Sequence, residues 1–166
     1  MQYATPYTPL GNGANCRNRL RQLLPEMSVR QNRSRLISPH LPTPPTPAEA
    51  ASAAGEAACN GWFRRDFKDS DLLHWGEGTV SVGRRNIVLV GKLAPGPDYN
   101  LYLSPEFGET EADFQRLKPR MARIGDVRTF ENFDVRVPES VDVSACSTSI
   151  VWCETFSQFI SAAMYR

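Results

Sequence analysis

The stretch GTVSVGRRNIVLVGKL, residues 78–93, gives the clearest indication of the fold class. Its first part alternates, with Val80 and Val82 on one face, and GRRN at 83–86 has the composition of a hairpin loop. The second part is rich in β-branched residues and places three apolar side chains on one face: Ile87, Leu89 and Leu93. A period of two on both sides of a short loop predicts an antiparallel hairpin.

Short runs with the same alternation of apolar and polar residues continue to the end of the chain. In YNLYLS (99–104) alternation points Tyr99, Leu101 and Leu103 inward, and Asn100, Tyr102 and Ser104 outward. The later runs are ARIGDV with a predicted turn at Gly125-Asp126, FDVRV (133–137), SIVWCETF (149–156) and FISAAMY (159–165). About seven punctuated strands predict an all-β fold, an antiparallel β-sandwich or barrel-like domain.

One short helix is predicted within GETEADFQRLKPRM, residues 108–121. Thr110 has the side chain of an N-cap, acidic residues follow it, and Pro119 ends the run. The GEG at 76–78 lacks the third glycine and the helix of a dinucleotide fingerprint, so we interpret it as a bulge or a tight turn.

Composition separates a tail from a domain. Eight of the thirteen prolines lie in residues 1–60, whereas fourteen of the sixteen aromatic residues lie in residues 61–166. We therefore expect a disordered Pro/Ala-rich tail and linker over 1–60, with a short helix in its Ala-rich part, and one β domain over 61–166. The net charge of +1 gives no global field that would favour nucleic acid. The sequence itself shows no signal peptide and no transmembrane span.

The domain resembles the DM13 family through three segments in order: FKDSDLLHWGEGTVSV (67–82), GPDYNLYLSP (96–105) and SIVWCETFSQFISAA (149–163). The resemblance implies an all-β extracytoplasmic domain, in bacteria usually preceded by a membrane anchor or signal, and hence a periplasmic or membrane-associated protein. It also implies a role in electron transfer that depends on a motif cysteine, here Cys153. Membrane association would require a missing or atypical N-terminal anchor, since residues 1–60 contain no apolar span.

Cys153 is the redox candidate, and two interpretations of it stay open. In an extended strand Cys153 lies on the opposite face from Trp152, where a buried thiol serves as a small hydrophobe. A reactive thiol needs a nearby cation, helix N-terminus or metal, and the only local charge is Glu154. Cys146 is a weaker candidate, because seven extended residues span about 23 Å and disfavour a bridge to Cys153. A bridge between Cys146 and Cys59 is left open for an oxidising compartment.

His74 is a second weak candidate. A blue-copper site needs two histidines, and the other one, His40, lies in the predicted tail. We therefore expect His74 to be hydrogen-bonded where a strand begins, beside a packed Trp75, and no metal or other cofactor is evident. The acidic residues between 66 and 77 lack the order of an EF-hand. No hydrolase, transferase or nucleotide-binding motif is present, so we do not predict an enzyme.

Two hypotheses of function follow from the sequence. The first is a redox or electron-transfer accessory module that uses Cys153 and an unknown redox partner. The second is a non-catalytic module that binds a protein or ligand and is displayed on a flexible stalk, for which the Pro/Ala-rich residues 39–58 have a suitable composition.

Overall fold

The structure is a computed structural model that describes residues 42–166. Eight strands lie in this part of the chain: β1 (Cys59–Phe63), β2 (Gly76–Val82), β3 (Asn86–Leu93), β4 (Tyr99–Ser104), β5 (Ala122–Val127), β6 (Glu131–Arg136), β7 (Thr148–Cys153) and β8 (Gln158–Met164). The same residues contain two α-helices, α1 (Pro47–Ala54) and α2 (Glu111–Leu117). The predicted all-β antiparallel class is confirmed.

The strands form two four-stranded sheets packed face to face. Sheet A has the order β1-β2-β3-β6 and sheet B the order β5-β4-β7-β8, with all neighbours antiparallel. The inner faces share one core, which contains Val80, Leu89, Leu101 and Val151, all fully buried. The predicted hairpin is β2–β3, and it pairs Val80 with Leu89 across the two strands.

Two glycines let the strands of this hairpin approach closely. A Cβ atom on Gly91 would lie 2.1 Å from the carbonyl oxygen of Glu77, closer than any real contact. Gly78 has φ +129, which side chains rarely adopt, and its Cβ atom would lie 2.4 Å from the oxygen of Val90. The GEG motif therefore lies inside β2, at a site of close backbone approach.

The two central strands of sheet B, β4 and β7, are buried on both faces, which the sequence did not predict. α2 begins at the predicted cap, since Thr110 Oγ1 accepts a hydrogen bond from the backbone N–H of Asp113 at 3.0 Å. The helix lays Phe114 over the outer face of the sheet and forms a second core there. The side chains predicted to face solvent on β4, which are Asn100, Tyr102 and Ser104, are consequently buried.

The predicted turn at Gly125-Asp126 was wrong. Both residues lie inside β5, where Gly125 pairs with Leu101, and the chain turns at residues 128–130 instead. The register shifts by one residue next to this pair, as at a β-bulge. A Cβ atom on Gly125 would lie 3.1 Å from Val135 Cγ1, so this glycine serves close packing between strands.

Part of the predicted linker packs on the domain. α1 has a capping box between Thr46 and Glu49, and its Ala50 is fully buried. The carbonyl of Pro45 accepts a hydrogen bond from Asn132 Nδ2 at 3.1 Å, and β1 begins at Cys59. The rest of the predicted tail, including His40, lies outside the described residues. Within residues 42–166 no helix is both long and apolar enough to cross a membrane.

Candidate functional site

Cys153 is the last residue of β7 and faces the core between the sheets, with 2% of its surface exposed. Its thiol donates a hydrogen bond to the carbonyl of Pro97, with an Sγ–O distance of 3.1 Å. Tyr99 lies directly opposite on β4 and faces the same core. Burial and the adjacent Cys153 raise the pKa of Tyr99 to about 12. A protonated phenol and a thiol thus lie side by side beneath the β3–β4 loop.

The neighbours of Cys153 in the chain face the other way, as strand alternation predicts. Trp152 lies in the second core, between sheet B and α2. Glu154 also turns to that side, where its carboxylate accepts hydrogen bonds from Tyr102 and Lys118. The charge that the sequence placed next to Cys153 is therefore held on the outer side of the sheet.

Cys146 and Cys59 lie at the opposite end of the sandwich, and both are free thiols. Cys146 precedes β7 and Cys153 ends it, so five strand residues (148–152) at about 3.3 Å each lie between them and the two thiols do not meet in the folded chain. Burial, with a smaller contribution from Asp142, raises the pKa of Cys146. Burial also raises the pKa of Tyr165, and the nearby Cys146 and Cys59 add to that shift. Tyr165 belongs to the core cluster against which both cysteines pack.

A pocket of about 570 Å³ opens at this end. The pocket is lined by charged groups of both signs, a thiol and a phenol. These belong to Arg84, Arg166, Asp142, Cys59 and Tyr165. Tyr165 donates its hydroxyl hydrogen to the carbonyl of Val143 at 3.2 Å, and Arg166 donates to the carbonyl of Ser144 at 2.6 Å. These two polar groups of the pocket are therefore already occupied by backbone partners.

His74 lies in the loop before β2, and its Nδ1 is 3.0 Å from an Asp71 carboxylate oxygen. Asp71 also accepts hydrogen bonds from the backbone N–H groups of Leu73 and His74. The guanidinium of Arg65 lies 3.4 Å from the centroid of the Trp75 ring. The structure thus places His74 in a contact that fixes the loop, next to Trp75 and its cation–π partner.

The acidic residues near His74 each have a local partner. Arg64 pairs with Asp66, Arg65 pairs with Glu77, and Asp69 accepts the backbone N–H of Glu111 at 2.6 Å. Among residues 42–166, no three side chains of His, Cys, Asp or Glu converge as a group that could hold a metal ion.

A polar cluster on the outer face of sheet B was missed from the sequence. The Tyr102 hydroxyl donates to Glu154, and Lys118 Nζ lies 3.0 Å and 3.3 Å from the two carboxylate oxygens. Arg123 donates to Asn100 at 2.8 Å beside them. The sequence did contain a signal for this cluster, which is Tyr102 at a strand position predicted to face solvent. A large ring at such a position is usually covered by another element.

An exposed apolar groove of about 320 Å³ lies along the β1 and β8 edges. Trp62 is 62% exposed, Met164 52% and Phe107 36%, and the three side chains line the groove together. Arg64 and Glu109 supply its charged rim. The groove combines a large exposed aromatic surface with polar edges, which is the composition of interaction sites.

The chain was compared with models of known protein families. The family model described as "Electron transfer DM13" matches residues 66–165, which include Cys153, Tyr99 and the polar cluster. No curated protein and no solved structure matched the chain.

Proposed function

Because the chain belongs to the DM13 family, we propose that it is an electron-transfer accessory domain and that Cys153 is its redox group. The observation that carries the proposal is a buried thiol paired with a buried phenol, Tyr99, inside the matched region. The family's description supports electron transfer, and the position of Cys153 beneath a single loop supports the choice of residue.

The surroundings of Cys153 favour one-electron chemistry over disulfide exchange. A disulfide needs a second sulfur with its Cα within about 7 Å, and within residues 42–166 the other two cysteines, Cys59 and Cys146, lie at the far end of the sandwich. In the proposed step the thiol loses one electron to an acceptor protein and its proton to water at the end of the sandwich. The resulting sulfur radical regains an electron and a proton in the reverse step. Burial of the sulfur keeps solvent from most of its surface, which limits side reactions of such a radical.

The proposal is tested by chemical one-electron oxidation of the purified chain, with the radical detected by electron paramagnetic resonance. We expect a sulfur-centred signal that disappears in Cys153→Ala and persists in Cys146→Ala, the matched loss of a partly buried thiol. Thermal unfolding of each variant verifies the fold. A signal that survives Cys153→Ala, or no sulfur signal in the wild type, refutes the role of Cys153.

We also propose that the chain works outside the cytoplasm, in the periplasm or at a membrane, through an N-terminal anchor or signal. The support is the extracytoplasmic placement typical of the family. Fractionation of cells that express the complete gene product tests this, and recovery from the cytoplasmic fraction alone contradicts it.

The second candidate function is a module that binds a protein partner, and the exposed groove at Trp62 favours it. A photo-crosslinking amino acid at position 62 would capture a partner seated on the groove, whereas one at the exposed Glu139 is the control. We expect a discrete crosslinked partner from position 62 only. Equal labelling from both positions, or none from either, refutes a binding role for the groove.

A further inference from the structure

Three aromatic rings form a continuous contact beneath α2. Phe114 stacks on Trp152 with ring centroids 3.9 Å apart and planes 5° from parallel. Tyr102 meets the same Phe114 ring edge-on, with centroids 5.2 Å apart. Tyr102 pairs with Ile150 and Trp152 pairs with Asn100, so the phenol and the indole are diagonal neighbours on β4 and β7. An electron passing between them crosses only ring contacts.

The phenol end of this contact has a positioned proton acceptor. Tyr102 donates its hydroxyl hydrogen to Glu154, and burial together with this hydrogen bond raises the pKa of Tyr102. Burial pushes the pKa of Glu154 upward, but hydrogen bonds from Tyr102 and Lys118 outweigh it and lower that pKa. Near neutral pH the pair is therefore a protonated phenol that faces a carboxylate anion.

The charged groups around this pair come from every element packed on it. Lys118 follows α2 and donates to Glu154, Arg123 lies on β5, and Asp98 lies in the β3–β4 loop. The side chains of Lys118 and Glu154 are 39% and 29% exposed, so a proton on Glu154 can exchange with water.

The indole end, in contrast, has no proton acceptor within residues 42–166. The Trp152 side chain is 1% exposed, and among the described residues its Nε1–H has no hydrogen-bond partner. An unpaired buried donor costs free energy, which a phenylalanine or leucine in the same space would avoid. Packing alone thus does not account for a tryptophan at this position. If the ring loses an electron, its N–H proton has no acceptor, and the radical cation stays strongly oxidising.

We propose that Trp152 and Tyr102 form a one-electron relay with Glu154 as its proton acceptor. An oxidised one-electron acceptor takes an electron from Trp152 and leaves the indole radical cation. Tyr102 then reduces the indole radical cation by one electron while the phenolic proton of Tyr102 moves to Glu154. This step leaves a neutral phenoxyl radical and a neutral carboxylic acid. A one-electron donor then returns an electron to Tyr102, and Glu154 returns the proton. The relay rests on the proposed function, because the donor and acceptor are the redox partners of an electron-transfer domain.

Laser photoionisation of the indole, which needs no access from solvent, tests the relay in a full-length background that carries Trp62→Phe and Trp75→Phe. Trp152 is then the sole tryptophan, since the sequence has three. We expect the indole-radical absorption to decay by a first-order step as a phenoxyl radical appears. Tyr102→Phe should abolish that step, and Tyr99→Phe, on the opposite face of the same strand, should leave it unchanged. Glu154→Gln should slow it by about a hundredfold, the low end for loss of a positioned proton acceptor.

Heavy water gives a readout that needs no substitution at Tyr102 or Glu154. Because the proton moves with the electron, the step should be slower in D₂O than in H₂O. A step that persists in Tyr102→Phe, or that has the same rate in both solvents, overturns the relay. Cys153→Ala in the same background should leave the step unchanged. If the indole-to-phenol step is absent while the Cys153 sulfur radical still forms, only the relay is refuted. If the step is present and no Cys153 radical forms, only the role of Cys153 is refuted.

Discussion

The chemistry available to Cys153 depends on which side of β7 it occupies. Its thiol faces hydrocarbon, Tyr99 and one carbonyl oxygen, while Glu154 and Lys118 lie on the other side of the sheet. Trp152, one residue away, belongs to a different core. Two redox-capable side chains that are adjacent in sequence are thus separated by the backbone of one strand, and each has its own environment.

Burial predicts that Cys153 is protected from thiol reagents in the folded chain. With 2% of its surface exposed, Cys153 should react only at the rate of local or global unfolding, whereas the partly exposed Cys59 and Cys146 should react first. Peptide mapping after timed alkylation measures each site separately. Rapid native labelling of Cys153 would contradict the closed site described above.

At the scale of elements, the β2–β3 hairpin depends on glycine where the two backbones meet. Gly91→Ala should lower the free energy of unfolding by about 1–3 kcal/mol, because the new methyl group meets backbone atoms that have no room to move. Gly83→Ala is the matched control, since its nearest atom would be at 3.3 Å and the expected change is within about 0.5 kcal/mol. Urea unfolding of both variants gives the comparison, and equal effects would refute the close approach.

α2 stabilises the domain by covering sheet B. Phe114→Ala should cost about 3–5 kcal/mol, since it removes a fully buried ring stacked on Trp152. Phe156→Ala removes the same group from a turn where the ring is 62% exposed, and should change stability by about 0.5 kcal/mol or less. Chemical unfolding curves decide the matter, and a small loss in Phe114→Ala would mean that α2 is not part of the core.

The sequence predicted those features of β4, β5 and α2 that are determined by residues close together in the chain, and it missed those that depend on another element. Alternation in YNLYLS identified the inner face of β4, and Thr110 identified the start of α2, because both signals lie within a few residues. The burial of Tyr102 was missed because its cover, Phe114, arrives from another element. Gly125 was misread as a turn because its role is space for Val135 on a separate strand.

The candidate site was likewise predicted where strand alternation determines it and missed where it depends on contacts between distant segments. Alternation alone separated Cys153 from Trp152, and the separation of seven residues alone disfavoured a bridge between Cys146 and Cys153. The pairing of Cys153 with Tyr99 depends on strand register between distant segments, which no local pattern contains. The meeting of Tyr102 with Glu154 across 52 positions has the same origin.

For the whole molecule, buried phenols predict a loss of stability at alkaline pH. The pKa of Tyr99 is raised from 10.0 to about 12, so the folded state prefers the neutral phenol. That contribution is fully present below pH 10 and is lost as the pH rises towards 12. Burial raises the pKa of Tyr102 and Tyr165 in the same direction. Free energies of unfolding measured across this range should fall, and should fall less steeply in Tyr99→Phe; equal slopes would contradict the burial of Tyr99.

We propose above all that this β-sandwich exchanges single electrons through Cys153. Protein-film voltammetry of the full chain measures that exchange directly, with Cys146→Ala as the matched control. We expect a reversible one-electron wave in the wild type and in Cys146→Ala, and its loss in a folded Cys153→Ala variant. A wild-type film without a wave, or an unchanged wave in Cys153→Ala, would contradict it.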